Sequence, residues 1–346
     1  MLRAIVIAAA SCLATLLGLE LVMRCLPVSS ATLTGYYADP DILGYPTGHE
    51  WTVATGWDLR NAQHLRANNL GFSADADFVP DPQALVLIGD SYVEASALAA
   101  PDRPDVQLAA ALAKRSGSRP VYAMGSPGTA LLDYAQRIRF AAERLQSRDF
   151  VVWLEQGDAR EAVCGSGQVH SRCLDRATLA PRIERLPGPS ALKRWARHSA
   201  LAQYVFGQLK LDPARLWAAV LPARAAAPQP SAAEVAAARA ASMKMVEAVL
   251  DEFTAQAGPH LRGRLLFAVD GHRGPPPAQP SAIDFERNYL LRRLAERGFE
   301  VIDLEPVYAA WRAQSKLSPE IGPYDQHLNA LGVRVVMGAI AARLQQ

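Results

Sequence analysis

The stretch Ala84-Leu85-Val86-Leu87-Ile88-Gly89-Asp90-Ser91 decides how the rest of the chain reads. Five apolar residues run without alternation into a Gly-Asp turn. A continuous run of that length, closed by turn residues, predicts a strand covered on both faces, as in a parallel sheet. In open α/β sheets, ligands bind outside the carboxyl ends of the strands. Ser91 stands just past such an end. Its hydroxyl is therefore placed either for chemistry or to cap the following helix.

Working outward, four more short apolar runs predict strands at 120–125, 149–156, 264–270 and 299–304. Between and after them, helical patterns occupy 105–115, 130–146, 231–256, 281–297, 307–314 and 330–344. In the second of these, apolar residues at 131, 134, 135, 138, 141, 142 and 145 follow a helical period. Strands alternating with helices of this length predict βαβ units and a parallel sheet. Residues 159–230 break the rhythm and read as an insertion with a few helices. Within it, the Ala/Pro-rich 222–230 reads as loop. The basic stretch 193–198 reads as a solvated helix face or as a contact for an anionic substrate. Residues 29–83 read as an extended lead-in, with aromatics Tyr36, Tyr37, Trp51 and Trp57 and a turn signal at Asn68-Asn69-Leu70-Gly71-Phe72.

Half of the 346 residues are hydrophobic and 20% are charged, enough for a sizeable core. The net charge of +2 is carried by scattered basic residues, which argues against a nucleic-acid partner. Met1-Leu2-Arg3 precedes an uncharged run from Ala4 to Leu19, and the apolar pattern continues to Met23 around Glu20. Twenty such residues make about the ~30 Å that a helix needs to cross a bilayer. The alternative is a cleaved signal peptide. No Ala-x-Ala-like site follows, and Glu20 and Arg24 are spaced to pair across one helical turn. An uncleaved anchor over residues 1–28 is the expectation, with the body outside the cytoplasm because the positive charge stays inside. Secretion after cleavage is the alternative.

Cys12 and Cys25 fall in and just after the apolar segment, whereas Cys164 and Cys173 bracket a short glycine-containing loop. In an exported body that pair is expected to form a disulfide. A metal site at Cys164, His170 and Cys173 lacks a fourth ligand and the usual zinc spacing.

A serine hydroxyl becomes a nucleophile when a base takes its proton, usually a histidine oriented by a carboxylate. His327 lies in a loop after the last predicted strand, with Asp325 two residues earlier and a Gly322-Pro323 turn before them. Gly-Asp-Ser after the first strand, a glycine turn after the second, a Gly-Asp turn after the third, and Asp-x-His-Leu-Asn before the last helix appear in that order. In this the chain resembles the SGNH/GDSL hydrolase superfamily over about 84–158 and 231–344. The segment 68–72 is similar to the Asn-x-x-Gly-Phe of membrane-anchored members.

The resemblance implies an α/β fold: a flavodoxin-like three-layer α/β/α sandwich with a parallel five-stranded sheet over 84–346. It implies ester hydrolysis or acyl transfer without cofactor or metal. Ser91 is then the nucleophile, His327 the base and Asp325 its orienter, with the backbone N–H groups of Ser91 and Gly125 forming the oxyanion hole. The family's third donor is an Asn after the third strand. Here Gln156-Gly157-Asp158 places Asp158 at that point. Asp158 is then a protonated donor, or Gln156 supplies an amide instead, or the site binds without cleaving. Ala123 stands where the second block of the family has an Asn. The single residue between Asp325 and His327 is similar to relatives that acetylate secreted polysaccharides. The expected function is an extracytoplasmic esterase removing O-acyl groups, above all acetyl, from a glycan or small ester. The alternatives are an O-acetyltransferase and a non-catalytic glycan-binding protein.

Overall fold

The computed structural model describes residues 1–30, 39–184, 190–209, 211, 231–322 and 325–346. The expected Ala/Pro-rich loop at 222–230, Tyr36 and Tyr37, and the Pro323 turn lie outside the described residues. The chain divides into two compact units. The larger comprises 37–49, 66–186 and 228–346, and the smaller comprises 1–36, 50–65 and 187–227.

The larger unit is built on a five-stranded sheet. Its strands are β3 (Leu85–Gly89), β4 (Val121–Gly125), β5 (Asp149–Leu154), β8 (Leu265–Val269) and β9 (Glu300–Asp303). They lie in the order β4-β3-β5-β8-β9, and all neighbours are parallel. Counted along the chain this is 2-1-3-4-5, the flavodoxin-like order, with its switch point between β3 and β5. The expected three-layer sandwich is thus the observed one. The four-residue helix α2 (Ser91–Glu94) follows β3 directly.

Both faces are covered, which is why the strands read as unbroken apolar runs. Val86, Ile88, Val152, Leu154, Phe267 and Val269 point to one face. They pack against α4 (Leu131–Arg144), α8 (Ala232–Ala257) and α9 (Ala282–Glu296). Leu85, Leu87, Val151, Trp153, Leu266 and Ala268 point to the other. They meet α3 (Pro104–Ser116), Tyr308 of α10 (Glu305–Gln314) and α11 (Ala330–Arg343). Each side chain so buried contributes roughly 1.5–3 kcal/mol.

Capping sets the helix starts. Ser231 and Ser281 each bond the backbone three residues on, and Glu234 and Asp284 return the contact. A short antiparallel ribbon, β10 (Glu320–Gly322) and β11 (Asp325–Leu328), stands before α11. Asn329 caps α11 through Leu331 and Gly332 N–H, and its amide donates to Ser318 and Glu320 carbonyls, tying the ribbon to the helix.

The expected lead-in is divided. Residues 66–83 belong to the larger unit, with Phe72 and Phe78 in its core. Asn68 Oδ1 accepts from Leu70 and Phe72 N–H, and Gly71 turns the chain at φ +82°, where a Cβ would lie 2.1 Å from the Tyr45 carbonyl. Only glycine meets both demands.

The smaller unit contains the apolar helix α1 (Leu2–Arg24) and the ribbon of β1 (Glu50–Thr55) and β2 (Arg60–Arg66). It also holds α6 (Ala191–Ala196) and α7 (Ala200–Ala202), the latter continuing as a π-helical segment Gln203–Gln208. In the larger unit, α5 (Asp158–Glu161) leads into the hairpin of β6 (Arg172–Leu174) and β7 (Pro181–Ile183). Cys164 and Cys173 are joined by a disulfide, with Cα atoms 5.1 Å apart.

Candidate active site

Ser91 opens α2 immediately beyond β3. Asp90 caps this helix, its Oδ1 accepting from Tyr92 N–H at 2.9 Å. The first N–H groups of a helix lack intrahelical partners, and the Ser91 N–H has no partner among the described residues. It is left free as a donor beside the Ser91 hydroxyl. α2 packs directly on Gly125, the last residue of β4, which pairs with Gly89. A Cβ at Gly125 would meet Glu94 N at 2.3 Å and the Val93 carbonyl carbon at 2.7 Å. Gly125 therefore lets the serine turn settle onto the sheet.

The carbonyls beneath the turn are held from below. Arg137, buried in α4, donates through Nη1 to the Gly89 carbonyl at 2.7 Å and the Met124 carbonyl at 3.2 Å, and through Nε to the Ile42 carbonyl at 3.0 Å. Its guanidinium also lies 5.7 Å from the ring centroids of Phe72 and Tyr134.

The β10–β11 ribbon brings His327 to Ser91. His327 Nε2 lies 2.8 Å from Ser91 Oγ, and Asp325 Oδ1 lies 2.5 Å from His327 Nδ1. The same carboxylate oxygen accepts the His327 backbone N–H at 2.9 Å. These contacts select one tautomer: Nδ1–H donates to Asp325, and Nε2 accepts from the serine hydroxyl. Ser91 Oγ is also 3.4 Å from Asp90 Oδ2, a longer contact that competes poorly for the single hydroxyl proton. Burial lowers the His327 pKa. The Asp325 hydrogen bond and charge, with Asp90 behind them, outweigh it and hold the pKa above the usual histidine value.

Two residues that the sequence did not single out support this pair. The Tyr92 ring lies 5.0 Å from the His327 ring, and the Arg273 guanidinium covers Tyr92 at 4.7 Å. Arg273 donates to Asp270 Oδ2 at 2.5 Å and to the Gln326 carbonyl between Asp325 and His327. Asp270, at the end of β8, also accepts from Tyr308 at 2.7 Å. The only sequence signal was position: an Asp directly after a core strand and an Arg three residues later.

Asp158 corrects the expectation placed on it. It is wholly buried and offers no surface to a substrate. Gly157 is the residue before α5, and the Asp158 side chain turns back into the fold. Its Oδ2 accepts from Glu155 N–H at 2.9 Å. Its Oδ1 lies 3.2 Å from Tyr134 Oη, which is 2.8 Å from the Thr129 carbonyl. A phenol has one proton and a carbonyl can only accept, so that proton favours the shorter bond. The Tyr134 hydroxyl is shared between the two acceptors, with the Thr129 carbonyl the nearer, unless Asp158 carries a proton of its own. Burial, with the charges of Asp90, Glu155 and Glu161 adding to it, pushes Asp158 well above the carboxylate range. Asp158 is thus an internal strut, in surroundings that favour its neutral form. Gln156, two positions before the helix start, is partly exposed, and its side chain has no hydrogen-bond partner among the described residues.

The carboxyl ends of the strands carry further acids. Glu94, buried beneath Tyr45, is raised to about 7 by burial. Glu155 is raised to about 7 by burial and by Asp90, Glu161 and Asp270, although Gly157 N–H bonds it at 2.6 Å. Acids that remain protonated near neutrality place less negative charge around Ser91 than their number suggests.

No family model matches the sequence, and no curated protein matches it. The likenesses are to solved structures. One is an alpha/beta hydrolase enzyme from the metagenome of Lake Arreo, at 15% identity and a TM-score of 0.43, covering 78% of this chain and 97% of that one. Another is an acetylxylan esterase from Geobacillus stearothermophilus, at 9% identity and 0.43, with the same coverage. A third is a member of the lipolytic protein G-D-S-L family from Veillonella parvula, at 10% and 0.37, covering 75% and 97%.

Proposed function

We propose that the chain is a serine esterase of the SGNH type that removes O-acyl groups, chiefly acetyl, from a glycan or small ester. One observation carries this reading: Asp325, His327 and Ser91 stand in hydrogen-bonded sequence, at 2.5 and 2.8 Å, at the carboxyl end of the sheet. His327 Nε2 takes the Ser91 proton as Oγ attacks the ester carbonyl carbon. The Ser91 N–H, and with it Gly125, faces the developing oxyanion. Collapse expels the alcohol, which receives the proton from His327 and leaves an acyl-Ser91. Water, deprotonated by His327, then releases the acid and restores Ser91.

A sugar hydroxyl in place of that water gives an O-acetyltransferase, the reading favoured by the single residue between Asp325 and His327. The motive for a non-catalytic protein was an ionised Asp158 facing the oxyanion; its burial and its raised pKa speak against that motive. We place the body outside the cytoplasm, held by α1 as an uncleaved anchor. In support, Glu20, in the last turns of α1, accepts hydrogen bonds from Ser199 Oγ and from the Ala200 and Leu201 N–H groups. Removing α1 would strip the cap from that helix.

A fluorophosphonate probe tests the reading on the full chain in membranes. The parent is expected to label and Ser91→Ala to stay unlabelled. Absence of Ser91-dependent labelling overturns catalysis by this serine. With an acyl donor supplied, transfer to a glycan acceptor that outpaces hydrolysis would replace the esterase by the transferase.

A further inference from the structure

The smaller unit carries a set of side chains that the active site does not use. Leu192 and Trp195 of α6 are 73% and 68% exposed, Phe206 is 58% exposed, and Trp57 in the β1–β2 turn is 66% exposed. These are large apolar groups left in water in one sequence-local segment and its tethered hairpin. Residues 190–209 also contain Lys193, Arg194 and Arg197 and no acidic residue.

The segment is tied to the outer end of α1. Arg24 donates to Glu20 at 2.7 Å and to the His198 carbonyl at 2.9 Å, while Glu20 caps Ser199, Ala200 and Leu201 at 2.8–3.1 Å. The β1–β2 turn joins the same assembly: Tyr204 Oη donates to the Trp57 carbonyl at 2.8 Å, and Gln208 donates to the Gly56 carbonyl at 2.6 Å.

These contacts set a depth. At 1.5 Å per residue, Glu20 lies about 6 Å nearer the helix centre than Arg24. In a helix whose apolar span runs from Ala4 to Met23, that puts Glu20 about 5 Å inside the hydrocarbon edge that Met23 marks. A helix capped by Glu20 therefore begins at the membrane boundary and not above it. Trp, Phe and Leu mixed with Lys and Arg is the composition that such a zone favours.

We propose that residues 190–209, with the Trp57 turn, form an interfacial platform that docks on the phospholipid surface from which α1 emerges. Its apolar side chains enter the headgroup boundary. This rests on the reading of α1 as a membrane span, and the experiment separates the two.

The full chain, in a Cys12→Ser, Cys25→Ser background, is placed in bilayer discs of phosphatidylcholine with a minority of phosphatidylglycerol. Nitroxides are attached singly after Leu13→Cys, Leu192→Cys, Trp195→Cys or Phe206→Cys. Collision with oxygen is compared with collision with a water-soluble nickel chelate. The Leu13 label is expected in the hydrocarbon, and the other three about 5–10 Å below the headgroup surface. Glu20→Gln is expected to raise nickel accessibility at position 195. If the Leu13 label is in lipid while the other three meet nickel as freely as a label in water, the platform is overturned and the anchor stands. If the Leu13 label is also in water, both fall. Labels shielded from both reagents would mean that protein, such as a second copy, covers the face, and this too overturns the proposal. A control without labels uses lipids brominated near the headgroup. Trp195→Phe should lose part of the tryptophan quenching, and an unchanged signal counts against docking.

Discussion

Arg273 lies over the ring of Tyr92, its guanidinium carbon 4.7 Å from the ring centroid, on a tyrosine that itself packs against His327. The same guanidinium bonds the Gln326 carbonyl, so one side chain holds the ring and the backbone of the segment that carries the base. Arg273→Ala should lower kcat/KM for a model acetyl ester on the order of 10–100-fold through misplacement of His327. Its charge also lowers the His327 pKa. The pH–rate profile of the variant should therefore move to higher pH, a shift that loss of packing alone would not produce. Arg273→Lys keeps the charge but loses the planar fork, so it should restore the profile more than the rate.

Asp325→Asn leaves the ribbon's shape but can no longer stabilise the imidazolium, and it favours the wrong tautomer. By analogy with the Ser-His-Asp triad, kcat should fall on the order of 10⁴-fold. The melting temperature should change little, because Asp325 is partly exposed. A fall of less than tenfold in steady-state kinetics would remove Asp325 from the mechanism.

Activity and stability should run in opposite directions between pH 5 and 8. The base must be neutral to accept a proton, and the His327 pKa is raised, so the rate should climb through an apparent pKa above 6.5. Glu94 and Glu155 are raised from 4.5 to about 7 in the folded chain. The folded state thus binds more protons than the unfolded state between those values. The stability this brings is complete below about pH 4.5 and is lost as pH rises through about 7. The contribution of His327 is lost as pH rises through its own raised pKa. Glu247, lowered to about 2 chiefly by its hydrogen bonds to Arg293, Tyr289 and Arg297 against a burial effect that raises it, acts oppositely and only below about pH 4.5. A calorimetric pH series should show the melting temperature falling from pH 5 to pH 8, and Glu94→Gln should flatten that slope. A temperature that rises over this interval would contradict the assignment.

Asp158→Asn should be nearly silent in stability. An amide can donate to Tyr134 and accept from Glu155 N–H, as a protonated acid would. Asp158→Ala leaves both groups unmatched and should cost about 1–3 kcal/mol. Denaturant melts of the two variants separate these outcomes. An Asn variant as damaged as the Ala variant would mean that the native carboxyl is ionised.

Reduction of Cys164–Cys173 should be felt at the carboxyl end of the sheet. The loop it closes donates from Val169 N–H to the Gly128 carbonyl at 2.7 Å, and Ser171 N–H donates to Asp133 at the start of α4 at 2.9 Å. Gly128 lies three residues beyond Gly125. For a loop of this size the expected loss is about 2–3 kcal/mol. Melting with and without a thiol measures it, and the esterase rate should fall in parallel.

Much of this architecture is legible in the sequence because it follows from burial. The strand predicted to run from Ala84 into the Gly-Asp turn is observed as Leu85–Gly89, and the helix predicted at 281–297 as Ala282–Glu296, since apolar runs and serine caps report on local structure. Ser91 and His327 could be picked out because each closes a short motif at an element boundary. Arg137 could not. On the helical pattern it is an ordinary polar position, and only the tertiary fold buries it under Gly89 and Met124. Arg273 sits in a proline-rich loop where no period exists to read. For Asp158, spacing gives its place on the turn but not the direction of its side chain, which points into the fold.

The hydrogen bond between Ser91 and His327 closes across 236 residues of chain. A ribosome adding about 5–20 residues per second needs roughly 12–50 s to cover that interval. Throughout it the nascent chain carries Ser91 but not the histidine proposed to activate it. On the proposed mechanism, reactivity is thus withheld from every product that stops short of His327, and a chain broken anywhere between the two residues is chemically quiet even if its early strands have formed.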